Sequence, residues 1–132
     1  IEDASHSIGA SYKNEKVGNC KWSDITVFSF HPVKIITTFE GGAALTNKLE
    51  IFEKLKMYSN HGITKNKKNF YSKKKGDWYY EQQLLGLNYR MTDFQAALGY
   101  LQLIKYKKQV KLVLQKLEQI KDTLDNEKEF SS

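Results

Sequence analysis

The run Asp24-Ile25-Thr26-Val27-Phe28-Ser29-Phe30 leads directly to the only proline, Pro32, and a second short apolar run, Gly42-Ala43-Ala44-Leu45-Thr46-Asn47, follows. β-branched and aromatic residues favour a strand, and proline ends it because it has no N–H to donate. Any fold for this chain must therefore be built on a strand, a sharp loop carrying Lys34, and a second strand. That loop sets Lys34 apart from the other lysines. An apolar strand leads in and Glu40-Gly41-Gly42 leads out, a setting that can hold an amine away from water, and a desolvated lysine is a nucleophile.

Around this centre the chain divides by pattern. Residues Ala4 to Asn19 have loop composition, with a short hairpin expected around Lys13-Asn14. Asn47 is placed to cap a helix over about Leu49 to Ser59, with Ile51, Phe52, Leu55 and Tyr58 on one stripe. Gly62 to Gly76 is a lysine-rich stretch including Lys65, Lys67, Lys68, Lys73, Lys74 and Lys75, read as a solvated surface loop. It is followed by Trp78-Tyr79-Tyr80 and by Gly86-Leu87-Asn88-Tyr89-Arg90. Thr92 or Asp93 caps a long helix through about Leu124, whose apolar stripe of Leu98, Leu101, Ile104, Leu112, Leu117 and Ile120 is expected to face a core.

Composition narrows the function classes. Lys and Arg number 21 against 15 Asp and Glu, for a net charge of +6, which permits an anionic partner without choosing one. All of those basic residues except Arg90 are lysine, which disfavours base-specific DNA reading by arginine forks. Cys20 is alone, so neither an internal disulfide nor a cysteine metal cluster is expected, and a reducing cytoplasm is the natural compartment. No apolar run approaches the roughly 20 residues that cross a bilayer, and no membrane partner is expected. The opening Ile1-Glu2-Asp3 reads as the end of a strand whose beginning is missing.

Three sets of residues carry possible chemistry. Glu2-Asp3-Ala4-Ser5-His6 puts an imidazole three residues after a carboxylate at a strand end; Ser29 precedes Lys34; Asn88 accompanies Arg90. Singly, each has an ordinary explanation: Asp3 as a turn or helix cap, His6 as a surface histidine, Ser29 as a strand residue, Lys34 as a solvated loop amine.

Taken in order, however, Glu2-Asp3-Ala4-Ser5-His6-Ser7-Ile8-Gly9, Phe28-Ser29-Phe30-His31-Pro32-Val33-Lys34, Thr37-Thr38 with Glu40-Gly41-Gly42-Ala43, Asn60-His61-Gly62, and Gly86-Leu87-Asn88-Tyr89-Arg90-Met91-Thr92-Asp93 with Gln95-Ala96-Ala97-Leu98-Gly99 resemble the DegT-type sugar aminotransferases. These are fold-type I enzymes dependent on pyridoxal 5'-phosphate. The wording His31-Pro32-Val33-Lys34 and Thr37-Thr38 looks most like the branch that aminates C4 of a UDP-linked 4-keto-6-deoxy sugar on the way to pseudaminic acid.

The resemblance implies an α/β fold, part of the large domain of such an enzyme: an incomplete sheet plus a long helix. Residues 1–103 would be the central part of the cofactor-binding domain and 104–132 a helix leading toward a small C-terminal domain. It implies that Lys34 is the Schiff-base lysine and proton shuttle, and that Asp3 pairs as an anion with the pyridinium nitrogen, keeping the ring an electron sink. His6 would orient the ring and Ser29 would donate to the cofactor phosphate. Asn88 would reach the phosphate of a neighbouring subunit's cofactor, so a homodimer is expected of the full-length enzyme. The reactants implied are an amino-acid donor such as glutamate and a nucleotide-sugar acceptor, with no metal and no nucleic acid. Tyr89 and Arg90 are assigned structural support.

Two positions depart from the family pattern. Phe39 stands where a small residue, often glycine, is usual, and Ile35 where this branch often has proline; a ring beside the lysine loop is expected to overpack it. Family members also carry further sheet strands and a phosphate-binding loop upstream, and a small domain downstream, so the chain reads as a middle portion with little or no transaminase activity alone. The alternatives are an inactive remnant, or a basic module binding nucleic acid or anions through the lysine loop and Trp78-Tyr79-Tyr80.

Overall fold

The computed structural model describes residues 1–72 and 76–129. Its centre is a three-stranded mixed sheet in the order β1 (Glu2–Asp3), β4 (Thr26–Ser29), β5 (Gly42–Leu45). β1 runs parallel to β4 with Asp3 opposite Val27, and β5 runs antiparallel with Gly42 opposite Ser29. Between β1 and β4 the chain makes the hairpin β2 (Ser11–Tyr12) and β3 (Glu15–Lys16). Lys13 and Asn14 at its tip have φ of 47° and 64°, the left-handed pair that a two-residue hairpin matching strand twist requires.

α1 (Leu49–Tyr58) follows β5, close to the predicted span. Its start differs from expectation: Lys48 occupies the cap position without a side-chain cap bond. Asn47 instead donates its Nδ2 to the Asn19 carbonyl at 2.7 Å, tying the helix entry to the loop before β4. A tertiary hydrogen bond has here replaced a local one. β6 (Ile63–Thr64) and β7 (Glu81–Gln82) then enclose the lysine-rich stretch. Lys65, Lys67 and Lys68 are exposed as predicted, with Lys67 paired to Asp77 at 2.5 Å; Lys73, Lys74 and Lys75 lie outside the described residues.

The long helix α2 spans Asp93–Glu129; the rest of the predicted terminal segment, 130–132, lies outside the described residues. It starts in a reciprocal cap: Thr92 N donates to Gln95 Oε1 at 2.9 Å, and Gln95 N donates to Thr92 Oγ1 at 3.3 Å. Among the described residues nothing covers most of its apolar stripe. Leu101, Ile104, Leu112, Leu117, Ile120 and Leu124 are each more than half exposed. The face turned toward the rest of the chain is polar or small: Gln95, Gly99, Gln102 and Tyr106. These positions share one side of a helix, and each meets the lysine loop or the turn after β1.

The core is correspondingly small. Ala4, Phe28, Ile36 and Phe70 are the buried apolar side chains among the described residues, with Thr26 and Thr38 fully enclosed. Thr26 is tolerated there because its hydroxyl donates to Glu2 Oε2 at 2.7 Å.

Candidate functional site

The loop from His31 to Gly41 is closed at its base, since Phe30 N donates to Gly41 O at 2.8 Å and Thr38 N donates to Phe30 O at 2.9 Å. Inside, Lys34 N bonds His31 O at 3.0 Å, a tight turn that follows from proline's fixed φ at position 32. α2 clamps the far side. Gln102 Oε1 accepts from Thr37 N at 2.8 Å, and Gln95 Nε2 donates to Glu40 O at 2.8 Å. Neither glutamine had a role in the sequence reading; their spacing, seven residues apart on one helical face, was the available signal.

From this loop the half-buried Lys34 reaches back over the sheet, where its Nζ lies 2.7 Å from Nε2 of His6. Asp3 is close enough to feel both groups. Its carboxylate accepts from Ser5 Oγ at 2.6 Å and Ser5 N at 3.0 Å. Those bonds, with smaller help from Lys34 and His6 and against a desolvation cost, hold the Asp3 carboxyl below the usual aspartate range. The turn-capping explanation for Asp3 is thus realised in its bonds to Ser5.

Asp3 ends β1, His6 follows it and Lys34 follows β4, so amine, imidazole and carboxylate converge at the carboxyl ends of two parallel strands, where open α/β sheets bind ligands. Ser29 ends β4 half-buried, two residues past the partner of Asp3, and its Oγ accepts from His31 N at 3.4 Å. Asn88 stands in another ladder. It is exposed and forms an antiparallel bridge with Asn60, whose Oδ1 accepts from Arg90 Nη1.

Phe39 does not overpack the loop. It is 58% exposed and stacks on Phe94 of α2, with ring planes 7° apart and centroids at 6.2 Å. Its φ is 67°, the left-handed region where glycine carries no penalty, which gives a physical reason for a small residue at this turn. Ile35 is 48% exposed and borders a small apolar hollow against Tyr106, Val110 and Val113 of α2.

An incomplete mixed sheet with a long helix laid over its lysine loop is part of the large α/β domain of a fold-type I pyridoxal-phosphate-dependent transferase. The chain belongs to the DegT/DnrJ/EryC1/StrS aminotransferase family, whose profile matches residues 1–132.

A UDP-4-amino-4,6-dideoxy-N-acetyl-beta-L-altrosamine transaminase of Campylobacter jejuni is 45% identical over 127 residues, 96% of this chain and 30% of the relative. The spore coat polysaccharide biosynthesis protein SpsC of Bacillus subtilis is 41% identical over 103 residues, 78% of this chain and 26% of its own. Among solved structures, Helicobacter pylori PseC, an aminotransferase involved in the biosynthesis of pseudoaminic acid, matches with a TM-score of 0.66 and 41% identity, covering 80% of this chain and 25% of that one. The chain thus spans about 30% of the first of these relatives. Among the described residues no helix is long and apolar enough to cross a membrane.

Proposed function

We propose that this chain supplies the Schiff-base lysine and part of the cofactor cradle of a transaminase that moves an amino group from an amino acid such as glutamate to a nucleotide-linked 4-keto-6-deoxy sugar. The observation that carries the reading is the Asp3, His6 and Lys34 cluster beyond the ends of β1 and β4.

The donor set fits pyridoxal 5'-phosphate. An anionic carboxylate suits a pyridinium nitrogen, an amine suits an aldehyde, and an imidazole beside that amine suits orientation of a flat ring. When bound, the cofactor supplies the aldehyde carbon and the electron sink that amino transfer needs. Asp3 would sit against the ring nitrogen and keep it protonated, and the Ser5 bonds that lower its pKa keep it anionic for that task. Lys34 would hold the cofactor through its aldehyde group, and its free Nζ would be placed to hold or move a proton. His6 fixes the direction of the Lys34 amine. Ser29 would donate its hydroxyl to the phosphate, and Asn88 would serve the phosphate of a neighbouring subunit's cofactor in a homodimer.

Residues 1–103 form the cofactor-binding portion and the helix beyond them leads toward a further domain. The pseudaminic-acid branch is favoured by the 45% identity to the Campylobacter jejuni transaminase. The chain alone is expected to have little or no transaminase activity, because it spans about 30% of the Campylobacter jejuni transaminase and Asp3, Ser29 and Lys34 form only part of a cofactor cradle.

The test is reductive trapping. The chain is incubated with pyridoxal phosphate, treated with borohydride, and the modified lysine located by peptide mass spectrometry. Selective labelling of Lys34 over the surface lysines is expected; labelling spread in proportion to exposure overturns the assignment.

A further inference from the structure

The 2.7 Å contact between Lys34 Nζ and His6 Nε2 joins two loops that the sheet itself does not tie together. β1 is two residues long, and its hold on β4 ends where Ala4 N donates to Val27 O at 2.8 Å, before His6 is reached. The lysine loop is closed on itself by the bond between Phe30 and Gly41. Among the described residues no backbone hydrogen bond joins the turn after β1 to that loop.

What reaches both is α2. Gln102 Oε1 accepts from Thr37 N at 2.8 Å, just past Lys34, and the Tyr106 hydroxyl donates to Ile8 O at 3.1 Å, just past His6. Standing at i and i+4, the two half-buried side chains lie one above the other on the same helical face. Each has a firm grip. Ile36 and Thr38, on either side of Thr37, are buried, so the amide held by Gln102 moves only if the loop moves. The turn after β1 lies directly under the Tyr106 ring, where a Cβ on Gly9, whose φ is 81°, would collide with the hydroxyl.

We propose that Gln102 and Tyr106 are positioning residues: together they make one turn of α2 a bridge that sets the separation of Lys34 and His6, and so the direction in which the amine is presented. The two ends of a bridge act in series, so breaking either one releases the amine as fully as breaking both. Two independent supports, each steadying its own loop, would instead add. The inference rests on the transaminase reading only for what the amine is presented to.

The chain has three histidines, so the full chain labelled with ¹⁵N at histidine gives few ring resonances, and that of His6 Nε2 is the one missing from His6→Phe. Its position in Lys34→Met marks the state without the amine. Gln102→Ala and Tyr106→Phe should each move it toward that position by a similar amount, and the double variant no further, while His61 on the Asn60 and Asn88 ladder stays in place. Gln102→Glu, which keeps an oxygen for Thr37 N, should return the His6 resonance to the parent position, a rescue that general loosening of the helix would not give. In reductive trapping, selectivity for Lys34 over the surface lysines should fall about fivefold in each single variant, the loss of one neutral hydrogen bond, and no further in the double. If Gln102→Ala detaches the helix altogether, Tyr106→Phe decides alone, since it removes one oxygen and keeps the ring against Gly9. Additive shifts, or an unmoved His6 resonance in the folded variants, overturn the proposal. A parent chain that shows no selective trapping at Lys34 overturns the transaminase reading, and the His6 resonance then still decides on the bridge.

Discussion

Lys34 Nζ and His6 Nε2 stand 2.7 Å apart although they follow two different strands of the sheet. At that separation the two nitrogens share one hydrogen bond, either Lys34 donating to a bare Nε2 or Nε2–H donating to a neutral amine. The imidazole therefore sets the direction of an amine whose four-carbon stem would otherwise sample many rotamers.

His6→Phe tests this directly, because it keeps a flat ring and removes the hydrogen-bonding nitrogen. The fold should persist, His6 being exposed, while borohydride trapping of pyridoxal phosphate at Lys34 falls several-fold and labelling of other lysines is unchanged. Undiminished trapping would mean that the loop alone orients the amine.

The turn at Phe39 yields a prediction in which the order of two variants matters more than either value. A left-handed φ costs a non-glycine residue about 1–2 kcal/mol, and an aromatic pair returns about 0.5–1.5 kcal/mol. Phe39 thus offsets most of its own strain by stacking on Phe94. Phe39→Gly, which loses both terms, should leave stability within about 1 kcal/mol of the parent. Phe39→Ala keeps the strain and loses the stack, and should be the less stable variant by about 1 kcal/mol or more in denaturant unfolding.

These particulars show where the sequence was informative. The strand before Pro32, the hairpin at Lys13-Asn14, the span of α1 and the cap at Thr92 are local matters, settled by propensity and turn chemistry over a few residues. The convergence of Asp3, His6 and Lys34 was legible only through the resemblance, because residues 28 apart become neighbours by strand pairing that no local pattern encodes. The side of α2 that meets the rest of the described chain was not legible, for the opposite reason. Hydrophobic periodicity identifies a helix and its apolar side, but which side meets the rest of the described chain was decided by polar groups at Gln95 and Gln102 seeking backbone partners in the lysine loop.

That contact face depends on Gly99 having no side chain. A Cβ there would lie 2.8 Å from Thr38 Cγ2, and Thr38 is 1% exposed with its hydroxyl bound to Glu40 O at 2.9 Å, so it has no room to turn away. Gly99→Ala should gain helix propensity of up to about 1 kcal/mol yet lose about 1–3 kcal/mol to overpacking. A net loss is expected in thermal unfolding, with faster hydrogen exchange at the Thr37 amide as Gln102 is levered away. A stabilised Gly99→Ala would show that α2 floats free of the loop.

Glu81 supplies the pH test. Burial pushes its carboxyl up, but the amides of Tyr71 at 2.8 Å and Ser72 at 3.1 Å, the Tyr79 hydroxyl at 3.1 Å and Gln83 outweigh that cost and bring it below the usual glutamate range. A carboxyl whose folded pKa is depressed adds stability that is complete above its unfolded pKa and lost as pH falls through the lower folded value. Protection of the Tyr71 and Ser72 amides from exchange should therefore be flat at neutral pH and decline in acid, below the range where free glutamate titrates. Glu81→Gln should lower protection at both amides at neutral pH and remove their acid dependence, since the remaining carboxamide oxygen accepts more weakly and does not titrate there. If the parent amides show no decline between neutral pH and the acid limit of folding, the carboxylate is not what holds the entry to the lysine-rich stretch.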